Sequence, residues 1–67
     1  MNIRTEFTEP ECDWFRAVCN FTPEERAVFD LRVKDKSRIQ IAMQLKMSES
    51  TVDRRIRGIK KKIHKVL

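Results

Sequence analysis

The sequence contains one glycine, two prolines and no tyrosine in 67 residues. Turn-rich β folds need frequent turn residues, so this composition argues against them. No apolar run approaches the roughly 18–20 residues of a membrane span, and the N-terminus lacks the pattern of a signal peptide. We therefore expect a soluble, cytoplasmic, helical protein without a membrane partner.

The sequence is also poor in the residues that carry catalysis. It has one histidine, His64, and it contains no glycine-rich phosphate loop, no metal-ligand cluster and no recognisable Ser/His/Asp or Cys/His spacing. Its length predicts one domain, residues 1–67, and a small core leaves no room for an enclosed catalytic pocket. We predict no enzymatic activity, no cofactor and no metal site.

The two cysteines, Cys12 and Cys19, are seven residues apart. On a helix they would share a face but lie about 10.5 Å apart along the axis, which is too far for a disulfide within that helix. We interpret them as small apolar residues in a reducing compartment, with an intermolecular disulfide on oxidation as the alternative.

Positive charge is concentrated in the second half of the chain. Residues 1–30 contain three Arg and seven Asp or Glu, a net charge of −4. Residues 31–67 contain twelve Lys or Arg and three Asp or Glu, a net charge of +9, and the two halves give the +5 of the whole chain. A basic half fits a module that turns one surface toward a polyphosphate. The alternative is that these charges only solvate helix faces.

Residues 37–57 have the pattern of a helix-turn-helix. Ser37 and Ser48 each stand at an N-cap position before a segment with helical apolar periodicity, and the break between the segments spans only residues 46–48. Two helices joined by so short a turn cross at a steep angle, so the second can project from the domain. A projecting helix with a basic outer face fits the major groove of DNA.

Capping signals extend this pattern to four helices. Thr8-x-x-Glu11 and Thr22-x-x-Glu25 are capping boxes with a proline in the first turn. The predicted fold is all-α, a small four-helix domain whose third and fourth helices form the helix-turn-helix. We predict an additional N-terminal helix within residues 8–20, a second helix from Thr22, a third from Arg38 to Leu45 and a fourth after Ser48. Residues 1–7 lack periodicity and are predicted to be loosely held, with packing of Ile3 and Phe7 onto the body of the domain as the alternative.

The additional N-terminal helix is predicted to bury an apolar face formed by Trp14, Phe15, Val18 and Cys19. The far end of the fourth helix, with Ile59, Ile63 and Val66, is its expected partner. We expect this helix to fold back on its own chain, which gives a monomer. Packing on the fourth helix of a second copy, which gives a two-fold dimer, is the alternative.

The stretch from Phe21 to Ile63 resembles the LuxR-type helix-turn-helix, and hence the related region-four domain of bacterial sigma factors, over 43 residues without a gap. On this resemblance residues 21–67 form a LuxR- or sigma-like core. Asp35 and Lys46 stand where that family commonly has glycine. The matching motif positions are Phe21-Thr22, Glu25, Val28-Phe29, Leu31, Ser37, Ile41-Ala42, Leu45, Ser48, Thr51-Val52, Ile59 and Lys62-Ile63.

The resemblance and the charge together imply sequence-biased binding of double-stranded DNA by the fourth helix, as in a small transcriptional regulator or a sigma-like factor. A protein-binding module that docks on RNA polymerase is the alternative. In the fourth helix Val52, Ile56, Ile59 and Ile63 are predicted to face the core, which turns the opposite side outward.

Site residues follow from this orientation. The candidates for contact with bases are Ser50, Asp53, Arg54 and Arg57. The candidates for contact with phosphate are Arg38, Ser48, Thr51, Arg55, Lys60 and Lys61. Arginine can bind guanine with two hydrogen bonds. Asp53 has two alternative roles, either accepting from cytosine or forming an i,i+4 ion pair with Arg57.

Overall fold

The computed structural model of the protein describes residues 7–67 and places four α-helices in them. They are α1, Glu9–Val18; α2, Pro23–Val33; α3, Arg38–Leu45; and α4, Glu49–Val66. The predicted all-α, four-helix fold with a helix-turn-helix formed by α3 and α4 is confirmed. Within residues 7–67 no helix is both long and apolar enough to span a membrane. Residues 1–7 were predicted to be loosely held. Of these only Phe7 is among the described residues, so the prediction for the others lies outside them.

Each helix begins where a side chain caps its first turn. Ser48 accepts a hydrogen bond from the backbone N–H of Thr51. The other three helices begin with reciprocal capping boxes, formed by the pairs Thr8–Glu11, Thr22–Glu25 and Ser37–Gln40. The third box, in which glutamine takes the place of the more familiar glutamate, was not predicted. These local bonds satisfy backbone donors that have no partner inside the helix.

The core lies between α2, α3 and α4, with α1 packed against one side. Its buried apolar residues are Cys12, Phe15, Cys19, Val28, Phe29, Leu31, Ile41, Ala42, Val52, Ile59 and Ile63. In α4 the predicted inner face is confirmed, since Val52, Ile59 and Ile63 are fully buried and Ile56 packs against them.

The face that α1 turns inward agrees with the predicted one at Phe15 and Cys19 but differs from it at Trp14 and Val18. Cys12, Phe15 and Cys19 are buried, whereas Trp14 and Val18 remain 47% and 42% exposed. The predicted burial of Trp14 and Val18 is therefore wrong. Residues 12, 15 and 19 are spaced three and four, which makes one helical stripe, and Trp14 lies about 100° round the helix from Phe15. The thiols act as small apolar groups in that stripe, and burial raises the pKa of each.

α1 is attached to α2 of its own chain through Arg16. The Arg16 Nε donates to Asp30 Oδ1 at 2.7 Å, and its guanidinium lies 5.2 Å from the centre of the Phe29 ring. At the other end of α1, Val18 and Cys19 border a shallow depression together with Lys62, Lys65 and Val66. The far end of α4 is thus beside α1, as predicted, although the contact uses the Cys19 side of the helix.

Three residues other than glycine have left-handed backbone conformations at the connections between helices. They are Asn20 with φ 53°, Asp35 with φ 65° and Lys46 with φ 55°. Asn and Asp tolerate this region because their short polar side chains bond locally, whereas Lys gains no such compensation. Asp35 and Lys46 are the two positions where the resembling family commonly has glycine. The sequence therefore lacks glycine at two positions where the backbone conformation favours it.

Lys46→Gly is expected to raise the free energy of unfolding by about 1 kcal/mol, because glycine adopts this conformation without the steric cost of a Cβ. Urea unfolding followed by circular dichroism measures the change. Gln44→Gly is the matched control. Gln44 is an exposed residue inside α3, so this change should lower stability by about 1 kcal/mol. Destabilisation by both substitutions would contradict the expectation.

Candidate nucleic-acid interface

The outer side of α4 is exposed along the length of the helix. At 100° per residue, positions 50, 54, 57 and 61 lie opposite the buried Val52, Ile59 and Ile63. Ser50, Arg54, Arg57 and Lys61 are all exposed, and we call these four residues the outer stripe. Three of the four predicted base-contact candidates lie in it, and the fourth, Asp53, lies to one side.

One flank of α4 is held against the first turn of α2. The Arg55 Nε donates to Glu24 Oε2 at 3.0 Å, and the Lys62 Nζ donates to Glu25 Oε1 at 2.5 Å and to the Asn20 carbonyl at 3.2 Å. Arg55 is therefore turned away from the outer stripe, and Lys62 points toward the body of the domain. These bonds fix the rotation of α4 about its own axis.

Glu25 is the buried acid at this contact, with 8% exposure. Burial by itself would raise the pKa of the Glu25 carboxyl, but the hydrogen bonds from Lys62 and from the Thr22 backbone N–H outweigh it, and the pKa falls below its ordinary value. Gly58 of α4 faces this carboxylate, and a Cβ at Gly58 would lie 2.7 Å from Glu25 Oε2. The only glycine of the chain therefore leaves space for the ionised carboxylate.

The other flank of α4 is connected to the start of α3. The Arg38 Nη1 donates to both oxygens of Asp53, each at 2.8 Å, with the side chains 54% and 37% exposed. Asp53 is thus paired with Arg38, not with Arg57 as one interpretation of the sequence suggested. The pair joins the two helices of the motif at the surface, beside the outer stripe.

The hydroxyls at the start of α4 are engaged with each other. Ser48 Oγ accepts from the Thr51 backbone N–H at 3.1 Å and lies 2.9 Å from Thr51 Oγ1. Two hydroxyls carry two protons, and their mutual bond uses one of them. One O–H therefore stays free at the N-terminus of α4, where the helix dipole favours an anion.

The remaining cations of α4 form an unpaired basic surface. Among the described residues, no ion pair or hydrogen bond from a protein group engages Arg54, Arg57, Lys60, Lys61 or Lys65. With Gly58 and His64 they line one open concavity along the helix. From Arg54 to Lys65 this surface extends about 16 Å along the axis. An array of positive charges of this length can lie along several phosphates of duplex DNA.

The family model of the bacterial regulatory proteins of the LuxR family matches residues 19–65. The chain belongs to the LuxR family. Domains of this family bind DNA and regulate transcription, and they are not enzymes. The matched region contains α2, α3 and nearly all of α4, and leaves the whole of α1 outside it. No curated protein and no solved structure matches the chain.

The LuxR-family assignment confirms the predicted helix-turn-helix. The ion pairs that determine which of its charged side chains are free were not predicted. Arg38–Asp53 joins residues 15 apart and Arg55–Glu24 joins residues 31 apart. No local spacing indicates such pairs. For the Glu25–Lys62 pair the sequence contained one indication, since both residues occupy motif positions of the resembling family.

Proposed function

We propose that this LuxR-family chain binds duplex DNA with a sequence bias by placing α4 in the major groove, and acts as a small transcriptional regulator or a sigma-like factor. The observation that carries this proposal is the division of the α4 cations. Arg54 and Arg57 are free on the outer stripe, whereas the intervening Arg55 is bound to Glu24. Charges that only solvated the helix would not need to be divided between the outer stripe and the contact with α2.

Arg54 and Arg57 are the proposed base-contact residues, with Ser50 one turn before Arg54. They are spaced three residues apart, on the side of α4 that faces away from the core. A guanidinium can donate two hydrogen bonds to the O6 and N7 atoms of guanine. The proposed preference is therefore for guanine at one or two positions of the bound site.

Asp53 has a different proposed role, which is to position Arg38. A free carboxylate beside the groove would repel phosphate, but the two hydrogen bonds from Arg38 neutralise it. The same bonds hold the Arg38 guanidinium at the start of α3, the place where the first helix of such a motif meets the DNA backbone. When a phosphate approaches, it can share the remaining donors of Arg38.

Phosphate contacts would supply most of the affinity and base contacts the discrimination. Lys60 and Lys61 have free charges for this role, and the free O–H of the Ser48–Thr51 pair is at the helix N-terminus. Arg55 would have to leave Glu24 to reach phosphate, so its contribution is the smallest of the candidate set. A single domain of this size covers a small site, so binding by one copy is weak.

Arg54→Ala and Arg57→Ala are each expected to reduce affinity for a preferred site by about 1–3 kcal/mol and to relax base preference at one position. Selection from a duplex library, followed by fluorescence anisotropy on the selected site, measures both effects. Arg55→Ala is the matched control from the same helix. It should cost less and affect all sequences equally, and equally small losses for all three variants would mean that α4 does not enter the groove.

A second candidate function is docking on RNA polymerase. The exposed Trp14 favours a protein contact. Its ring is 47% exposed and lies on α1, outside the outer stripe, so the proposed DNA binding does not use it. The exposed acidic side chains of α1, Glu9, Glu11 and Asp13, would supply polar surface on the same helix. This function is compatible with DNA binding, since α1 and the outer stripe are on different helices.

A further inference from the structure

α1 is apolar on two sides, and among the described residues only the inner side is covered. Cys12, Phe15 and Cys19 fill the inner side. Outside it runs a second apolar strip formed by Pro10, Trp14, Ala17 and Val18, all exposed, and we call it the α1 ridge. Trp14 lies against the buried Phe15, with the ring centres 5.5 Å apart, and presents the rest of its surface to solvent.

The two ends of the α1 ridge carry opposite charge. Glu11 is three residues before Trp14 and seven before Val18, so it continues the strip at its N-terminal end, where it is exposed. At the C-terminal end Val18 borders the depression that also contains Lys65 of α4, an exposed cation without an ion pair among the described residues. Along its length the surface is therefore acidic, then apolar, then basic.

We propose that the α1 ridge is the contact surface of a homodimer, in which two α1 helices pack antiparallel about a two-fold axis near Trp14. In antiparallel packing the apolar centre of one α1 ridge contacts the apolar centre of the other. It also places Glu11 of each copy beside Lys65 of the other, so the same complementary charge pair forms twice. A two-fold contact must be complementary to itself, and a surface with opposite charges at its two ends meets that condition. This complementarity selects a second copy as the partner.

The proposed contact is small and leaves the outer stripe free, and of the basic surface of α4 it uses only Lys65 at the far end. One helix pair buries less than the roughly 1,200 Å² of a standard stable interface, so we expect a dissociation constant on the order of 10–100 µM. α1 packs on α2 and the far end of α4, so the outer stripe of each copy stays open. α1 lies wholly before the family-matched region 19–65, so this contact surface would lie outside the part of the chain that the family model matches.

The test uses the full chain without DNA, so its failure would leave the proposed DNA binding untouched. Trp14 is the only tryptophan, so its fluorescence reports directly on the proposed contact. Sedimentation equilibrium from about 5 to 500 µM should show a monomer–dimer transition across the expected dissociation constant. The Trp14 emission maximum should move to shorter wavelength in parallel.

Substitutions at the ridge and at its ends separate the proposed contact from other causes. Val18→Glu puts a carboxylate in the apolar centre at an exposed position and should weaken the dimer by at least about tenfold without unfolding the chain. Lys65→Glu should weaken it about threefold through repulsion by Glu11. Adding Glu11→Gln to Lys65→Glu should restore part of that loss, because Gln preserves the capping box and removes the repulsion.

Lys61→Glu is the matched control, because it changes the net charge equally but lies on the outer stripe. It should leave the dissociation constant unchanged. A monomer at every concentration would overturn the proposal, and so would equal effects of Lys61→Glu and Lys65→Glu. A Trp14 shift that occurs only on addition of RNA polymerase would also overturn it, and would assign the ridge to that protein.

Discussion

Phe15→Ala is expected to lower the free energy of unfolding by about 3–5 kcal/mol, because truncation of a buried phenylalanine removes apolar contacts and leaves a cavity. Phe15 is 1% exposed, and its ring meets that of Phe7 edge-to-face with centres 4.8 Å apart. A domain of this size has a total stability of about 3–10 kcal/mol, so this one change can remove most of it. Thermal and urea unfolding at low micromolar concentration measure the loss.

Trp14→Ala is the control from the adjacent position. Although tryptophan is the larger side chain, Trp14 is 47% exposed, so its truncation should cost less than half as much. If Phe15→Ala leaves no folded state to measure, Phe15→Leu should still show a loss of about 1 kcal/mol with the fold retained. A larger loss for Trp14→Ala than for Phe15→Ala would contradict the orientation of α1.

The affinity for duplex DNA is expected to fall by about two orders of magnitude between 50 and 200 mM salt, as for about four neutralised phosphates. The free cations of α4 and the start of α3 supply this number of contacts. Each contact releases counterions from the duplex, so the logarithm of the affinity falls linearly with the logarithm of the salt concentration. Fluorescence anisotropy titrations at four or more salt concentrations give the slope.

Lys60→Ala should reduce the steepness of this slope by about one, the share of a single phosphate contact. Lys34→Ala is the matched control, because it removes the same charge from an exposed lysine that borders Glu9 and Asp13 of α1, away from the outer stripe. It should leave the slope unchanged. Absence of binding at about 50 mM salt and tens of micromolar protein would contradict DNA binding by the basic half.

The orientation of α4 shows why net charge alone does not define its DNA-facing surface. Arg55 and Lys62 are bound to acidic residues of α2, and Arg38 is bound to Asp53. Three cations of the basic half thus help to hold the helices together. The pairs are partly exposed, so each contributes modestly to stability. Their clearer effect is geometric, since they fix which residues of α4 point outward.

The sequence by itself determined the elements and the inner face of α4. Caps, turn lengths and apolar spacing act over three to seven residues, so Thr22 with Glu25, Ser48 and the Val52–Ile63 periodicity predicted the helices and the helix-turn-helix. The left-handed conformation at Lys46 could be anticipated for the same reason, since the turn requires it locally.

Only the tertiary structure decided which side of α1 is buried and which charges are free. The stripe of Cys12, Phe15 and Cys19 and the strip around Trp14 are both apolar at helical spacing. The choice between them depends on the shape of the core that α1 meets and on the Arg16–Asp30 contact. Likewise Asp53 finds Arg38 because folding brings the starts of two helices together. Contacts between residues far apart in the chain produce no periodic pattern in the sequence, so tertiary packing decides which of them form.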